Sequence, residues 1–140
     1  MSISYKNFDL KYLEELHELS CSNNDVLKPN TKMLYFIIGN YFSNISYIAL
    51  DGAKMVGFLV AFQQEDKVWM HQIAVDKNYR NKGIASKLIN MLEDNLSNIT
   101  IEFSVKEDNL NAIRLYESIG YSKLQYNSQI DQIIYSKKLN

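Results

Sequence analysis

Residues 71–89, HQIAVDKNYRNKGIASKLI, carry an alternating apolar run into a polar loop with one glycine and out into apolar positions at helical spacing. Strand, loop and helix must therefore follow one another closely, with Gly83 where the chain turns into the helix. The first N–H groups of a helix have no partners inside it and lie at the positive end of its dipole. A loop that enters through glycine can thus bring its amides up to an anion such as a phosphate. Arg80 and Lys82 add positive charge to the same loop. Taken alone, the pattern also fits an ordinary strand-to-helix connection with a relieved turn and solvated basic residues, and it is neither a Walker loop nor a GxGxxG turn.

The rest of the chain supplies a framework for this unit. Leu10, Leu13, Leu16 and Leu19 recur at helical spacing behind Asp9, a suitable N-cap, which predicts a helix over about 9–20. After a polar stretch with the single proline, Pro29, either Asn30 or Thr31 can cap a second helix that carries Met33, Leu34, Ile37, Ile38 and Tyr41. Tyr47 to Leu50 and Met55 to Phe62 are strand-like, and Asp51-Gly52 between them signals a hairpin. Val68 to Val75 adds a third strand. A helix is predicted from near Gly83, a strand over Ile99 to Val105, a helix over Asn109 to Ile119 ended by Gly120, and a closing pair of strands over Tyr121 to Tyr126 and Ile130 to Lys137. The order is β-α-α-β-β-β-α-β-α-β-β, an α/β (α+β) arrangement with a mixed sheet and about four flanking helices, in one domain over 1–140 without linkers or repeats.

Composition narrows the partners. Fifteen basic against sixteen acidic side chains leave a formal charge of −1 over 140 residues, so no global positive field draws the chain to nucleic acid or an anionic membrane. Only Arg80 and Arg114 are arginines, which limits the owners of any bidentate grip on a phosphate or carboxylate. Cys21 is the single cysteine, so internal disulfides and Cys-rich metal centres are excluded, and a reducing cytoplasmic setting fits. His17 and His71 lie far apart, and no metal is expected. The N-terminus has no basic start followed by an apolar stretch, and no run reaches the length of a membrane span, so a soluble, unprocessed chain is expected.

One strand after the glycine loop comes a second motif, VKEDNLNAIRLYESIGY, residues 105–121. The pair resembles the GNAT superfamily of acyl-CoA-dependent N-acyltransferases. There a V-D-x-x-Y-R-x-K-G-I-A type loop binds the cofactor pyrophosphate, and an N-x-x-A-x-x-L-Y-x-x-x-G-Y/F helix follows. The chain departs from that pattern at Lys77, where proline is frequent, at Asn81, where glycine is, and at Ala85, which replaces a second glycine. None of these removes an essential N–H donor. The resemblance implies a GNAT-like, mostly antiparallel sheet and acetyl-CoA as co-substrate. It also implies backbone contacts from Ile73 and Val75 to the pantetheine arm, and a pyrophosphate site at Arg80, Lys82, Gly83, Ala85 and Ser86. Asn109 and Ala112 would line the far side of the cofactor, and Tyr116 would point its hydroxyl at the sulfur. By helical spacing alone, Tyr116 also fits an ordinary core position.

Acetyl transfer to an amine asks for three things: loss of an ammonium proton, a donor for the tetrahedral oxyanion, and a proton for the departing thiolate. The backbone N–H groups near Ile73 to Val75 suit the oxyanion if neighbouring strands splay there, as they do in the family. Tyr116 suits the acid. His71, on the face of Ile73 and Val75 by period-two counting, is the leading base; a packed His71 with water carrying the proton is the alternative, and Glu102 the second candidate.

LKPNTKMLYFIIGNYF, MVGFLVAF and HQIAVD further resemble the diaminobutyrate acetyltransferases of ectoine biosynthesis, with Asn30, Thr31, Tyr35 and Phe42 in the pattern. Lys28 stands where that group tends to have aspartate, and His71 where it has tryptophan. An ammonium in place of a carboxylate repels a cationic acceptor, which argues against diaminobutyrate itself. The expected acceptor is a primary amine of a small molecule or amino acid, held between the Asp25 to Tyr41 region and the Val68 to Val75 strand, with Tyr35 and His71 as its contacts. Alternatives are a protein or peptide N-terminal acetyltransferase and a non-catalytic acyl-CoA-binding module. A homodimer stays open.

Overall fold

The computed structural model describes residues 2–23 and 31–140. Asp25, Lys28, Pro29 and Asn30, and with them part of the expected acceptor wall, lie outside the described residues. The chain forms seven strands, β1 (Ile3–Asn7), β2 (Tyr47–Asp51), β3 (Lys54–Gln64), β4 (Lys67–Val75), β5 (Ile99–Val105), β6 (Ser122–Asn127) and β7 (Gln132–Leu139). Four α-helices, α1 (Leu13–Ser22), α2 (Lys32–Tyr41), α3 (Ile84–Asp94) and α4 (Leu110–Ser118), complete it. The expected element order holds throughout.

One sheet runs β1-β2-β3-β4-β5-β7-β6, antiparallel everywhere except between β4 and β5. Helix α3 presents Ile84, Leu88, Ile89 and Leu92 as one apolar stripe, which buries against Tyr47, Val56, Leu59 and Met70 on one face of the sheet. The other face holds Phe58, Val60 and Ala74 against Leu16 and Leu19 of α1 and Tyr35 and Ile38 of α2. Two cores on the two faces of one sheet bury β2 and the middle of β3 on both sides, whereas β5 alternates strictly and could not shift by one residue without reversing its burial.

Two local expectations are corrected. The first helix begins as a 3₁₀ turn, Leu10–Tyr12, with Asp9 accepting from the Lys11 N–H at 2.9 Å, and only then becomes α-helical. On α2 the buried positions are Tyr35, Ile38 and Gly39, whereas Met33, Ile37 and Tyr41 of the expected stripe are exposed, as is Phe36. The helix is apolar nearly all round, so spacing alone does not select a face.

The sheet's decisive irregularity is in β4. Val60 lies opposite Gln72 but Ala61 lies opposite Met70, so His71 is an extra residue, a β-bulge. The bulge reverses the alternation: Val68 and Met70 join the α3 side, Ala74 joins the α1/α2 side, and Ile73 and Val75 pack with the α3 side. His71 approaches Phe62, and Gln72 meets Tyr35 of α2, so both side chains face α1 and α2. The placement of His71 on the face of Ile73 and Val75 is therefore incorrect; period-two counting fails across the inserted residue.

Candidate active site

Strands β4 and β5 pair only at Lys67–Thr100, Val68–Ile101 and Trp69–Glu102, and beyond those pairs they diverge. The Asp76 N–H donates to the Val56 carbonyl at 2.8 Å, which sets the phase of the β3–β4 ladder. Residues 72, 74 and 76 therefore turn their backbone polar groups to β3, and Ile73 and Val75 turn theirs to the gap left by β5. The Val75 carbonyl agrees with that phase, accepting from Asn23 Nδ2 at 3.0 Å and from Arg80 Nε at 3.2 Å. The Val75 N–H and both backbone groups of Ile73 remain directed at the gap.

The gap is a cleft of about 480 Å³. Its walls are Trp69 to Ile73 on β4, Phe103 to Lys106 at the end of β5, and Asn109, Ala112 and Tyr116 of the α4 region. Asn109 is the N-cap of α4, its Oδ1 accepting from the Ala112 N–H at 3.4 Å, and Gly120 at φ +102° ends the helix where the Tyr121 N–H closes on the Tyr116 carbonyl. Tyr116 is buried, with its ring centroid 4.1 Å from that of Phe103. Burial raises its pKa far above the phenol range, so the hydroxyl keeps its proton. Among the described residues nothing hydrogen-bonds that hydroxyl. His71 lines the same cleft, and burial lowers its pKa below the ordinary imidazole value, which leaves it a neutral proton acceptor.

Beyond the end of β4 the loop from Asp76 to Gly83 leads into α3. Asp76 accepts from the Asn78 N–H at 2.9 Å, and Tyr79 bonds Asp51 at the tip of β2. Asn81 (φ +61°) and Gly83 (φ +81°) both adopt left-handed backbone. This explains why Asn replaces Gly at 81, since asparagine tolerates that region better than other side chains. The first backbone bond of α3 runs from the Lys87 N–H to the Gly83 carbonyl at 3.0 Å, so the amides of Ile84, Ala85 and Ser86 precede it without helical partners. Apart from its chain neighbours, no described residue comes within 4 Å of a Cβ built on Gly83, so the space beside the start of α3 is free among the described residues. Lys82 is exposed beside it, and Arg80 folds back on Val75. These residues fit a diphosphate: three amides, a helix N-terminus, open space and a lysine.

His71, Ile73, Asn109, Ala112 and Tyr116 thus come together along one cleft, and Val75 and the 80–86 loop follow from the end of β4 that leaves it. Tyr35 does not reach it as expected. It is fully buried, and its hydroxyl donates at 2.6 Å to Oε1 of Gln72, the residue that lines the cleft. Glu102 stands at the closed end of the gap with Lys67 Nζ 3.3 Å from its carboxylate. Gln72 and Asn23, which ties the end of α1 to β4, escaped sequence reasoning because their partners are 37 and 52 residues away. Among the described residues no group of three or more metal-ligating side chains converges, and no helix is long and apolar enough to cross a membrane.

The model of the acetyltransferase (GNAT) family matches residues 12–121, a span from α1 through α4 that contains both motifs. The chain belongs to the GNAT family. Among curated relatives, the L-2,4-diaminobutyric acid acetyltransferase of Halalkalibacterium halodurans is 30% identical over 115 residues, 78% of this chain and 59% of that protein. The N-alpha-acetyltransferase 30 of Schizosaccharomyces pombe is 27% identical over 81% of this chain and 79% of its own length. This GNAT chain therefore spans about three fifths of the bacterial relative. The fold is that of the diaminobutyrate acetyltransferase from Paenibacillus lautus in complex with L-2,4-diaminobutyric acid and coenzyme A, with a TM-score of 0.84, 21% identity and coverage of 98% and 95% of the two chains.

Proposed function

We propose that this GNAT chain is an N-acetyltransferase that moves the acetyl group of acetyl-CoA to the primary amine of a small molecule or amino acid. The observation that carries the reading is the divergence of β4 from β5, which frees the backbone of Ile73 and Val75 along a cleft whose opposite wall bears the Tyr116 hydroxyl. The pantetheine arm would extend along Ile73 and Val75 as an added strand would, and the pyrophosphate would rest on the amides of Ile84 to Ser86 beside Lys82.

In this reading His71 removes the proton of the acceptor ammonium, and the amine nitrogen then attacks the thioester carbon. The Ile73 N–H stabilises the oxyanion that develops, because a fixed donor in a site with little water needs no reorganisation as charge appears. As the oxyanion re-forms its carbonyl the carbon–sulfur bond breaks, the Tyr116 proton passes to the thiolate, and the surplus proton of the amide nitrogen is released to water, from which Tyr116 is reprotonated. A neutral His71 and a neutral Tyr116 are the protonation states these roles require, and burial favours both. The small-amine acceptor rests on the likeness to the diaminobutyric acid enzymes.

The test is incubation with acetyl-CoA and a panel of amines, amino acids and peptides, following free thiol and identifying the acetylated product by mass. Acetylated small amines are the expected result. Acetylation of peptide N-termini alone would replace this reading with the protein-acetylating one, toward which the fission-yeast relative points.

A further inference from the structure

A second cavity, of about 440 Å³, opens at the β3–β4 hairpin and is lined by Phe62, Gln64, Glu65, Asp66, Lys67 and Trp69. Its size is that of a small-molecule site. It adjoins the cleft: Trp69 lines both, and the Phe62 ring lies 5.9 Å from the His71 imidazole, centroid to centroid. Phe62 and Trp69 are cross-strand partners, so two aromatic side chains stand together beside the proposed base. The turn beneath them is fixed by the Thr100 N–H, which donates to the Asp66 carbonyl at 3.0 Å.

The charges around this cavity are unequal. Among the described residues Lys67 is the one cation in its lining, and its Nζ is 3.3 Å from a Glu102 oxygen. That pairing leaves Glu65 and Asp66 as the excess. Aromatic faces and surplus carboxylates both attract an ammonium, and both disfavour an anion. Distance then selects the ligand. At about 3.3 Å per residue, Trp69 lies about 7 Å and Lys67, the first residue of β4, about 13 Å along the strand from His71, with Glu65 and Asp66 in the turn beyond. A second amine held there must be well separated from the reacting one.

We propose that the hairpin cavity binds the distal ammonium of a linear di- or polyamine whose near amine is acetylated beside His71. The proposal rests on the transferase reading above and names its acceptor class. A short diamino acid, with its two nitrogens close together, would not reach the cavity.

The experiment compares the wild type with Glu65→Gln/Asp66→Asn, both exposed turn positions, and with Asp94→Asn, an exposed carboxylate on α3, as a charge control. Spermidine and an aliphatic monoamine are the acceptors, and spermidine binding is also measured by calorimetry in the presence of CoA. The double variant should lower the spermidine-to-monoamine ratio of kcat/KM about tenfold and weaken spermidine binding about tenfold, while Asp94→Asn leaves both alone. Equal spermidine affinity in wild type and double variant, or an equal effect of Asp94→Asn, overturns the proposal. Spermidine binding that depends on Glu65 and Asp66 without any amine acetylation would keep the cavity assignment and reject the transferase reading.

Discussion

The Tyr79 hydroxyl donates a 2.6 Å hydrogen bond to Asp51 Oδ2, tying the loop ahead of α3 to the tip of the β2–β3 hairpin. Lys54 reinforces the junction, its Nζ 5.3 Å from the centre of the Tyr79 ring and 3.8 Å from Asp76. The loop that carries the proposed pyrophosphate site is thus braced by a turn with no part in the chemistry. Tyr79→Phe should raise KM for acetyl-CoA about two- to tenfold, the usual effect of one lost hydrogen bond, with kcat nearly unchanged. Asp51→Asn, which retains an acceptor, should do less. An unchanged KM in Tyr79→Phe would show the loop to be rigid without the bond.

Gly83 is the residue whose replacement separates binding from folding. Its φ of +81° strains a side chain by about 1 kcal/mol, yet among the described residues nothing stands where a Cβ would go. Gly83→Asp should fold, because aspartate at a helix N-cap offsets part of the strain. It should nonetheless abolish acetyl-CoA binding in calorimetry by filling the approach and bringing a negative charge to the amides of Ile84 to Ser86. Normal binding by a folded variant would remove the pyrophosphate from this loop.

Tyr35 acts through Gln72, so its substitutions should be graded. Tyr35→Phe removes the 2.6 Å bond while keeping the ring, and should raise KM for the amine severalfold with acetyl-CoA affinity intact. Tyr35→Ala empties a fully buried site and should cost about 3–5 kcal/mol of stability, readable in urea unfolding. An amine KM that is unmoved in Tyr35→Phe would make the residue purely structural.

The order of elements follows from apolar runs bounded by turn signals, with helical spacing marking the helices and a clean alternation in β5, while β2 and β3 are buried on both faces. What these patterns do not carry is phase across an insertion. His71 is a bulge, and nothing in VWMHQIAV distinguishes an eight-residue strand from a strand with one residue out of register. Helix α2 fails for a different reason: with Met33, Phe36, Ile37 and Tyr41 left outside and Tyr35 and Ile38 inside, its burial is decided by the sheet it meets. The candidate site was legible where local motifs define position: Gly83 stands at the start of α3, and Asn109 and Tyr116 line the cleft. Asn23 and Gln72 were not, since polar contacts between distant segments leave no periodic trace.

Tyr116→Phe should lower kcat by about ten- to a thousandfold, with KM for acetyl-CoA nearly unchanged, if its proton reaches the thiolate. Burial holds the hydroxyl in its neutral form well beyond the usual phenol range, so this group should add no loss of rate on the alkaline side up to about pH 10. The ring contact with Phe103 survives in phenylalanine, so stability should change little. Unaltered turnover would assign thiolate protonation to solvent and leave Tyr116 a packing residue.

His71 ties catalysis and stability to the same titration. Burial lowers its folded pKa below the ordinary value of about 6.5, so below that pH the unfolded chain binds more protons than the native one. The stability that neutral His71 contributes is therefore complete above about pH 6.5 and is lost as pH falls through the folded pKa. The thermal midpoint of the wild type should decline in that window, and His71→Ala should flatten the decline. As the base, His71 should also give kcat/KM for the amine an acid limb set by its lowered pKa. His71→Ala should reduce kcat/KM about a hundredfold and remove that limb, leaving only the dependence due to the amine itself. A variant whose stability curve flattens while its rate profile keeps the acid limb would retain the packed histidine and transfer proton removal to water.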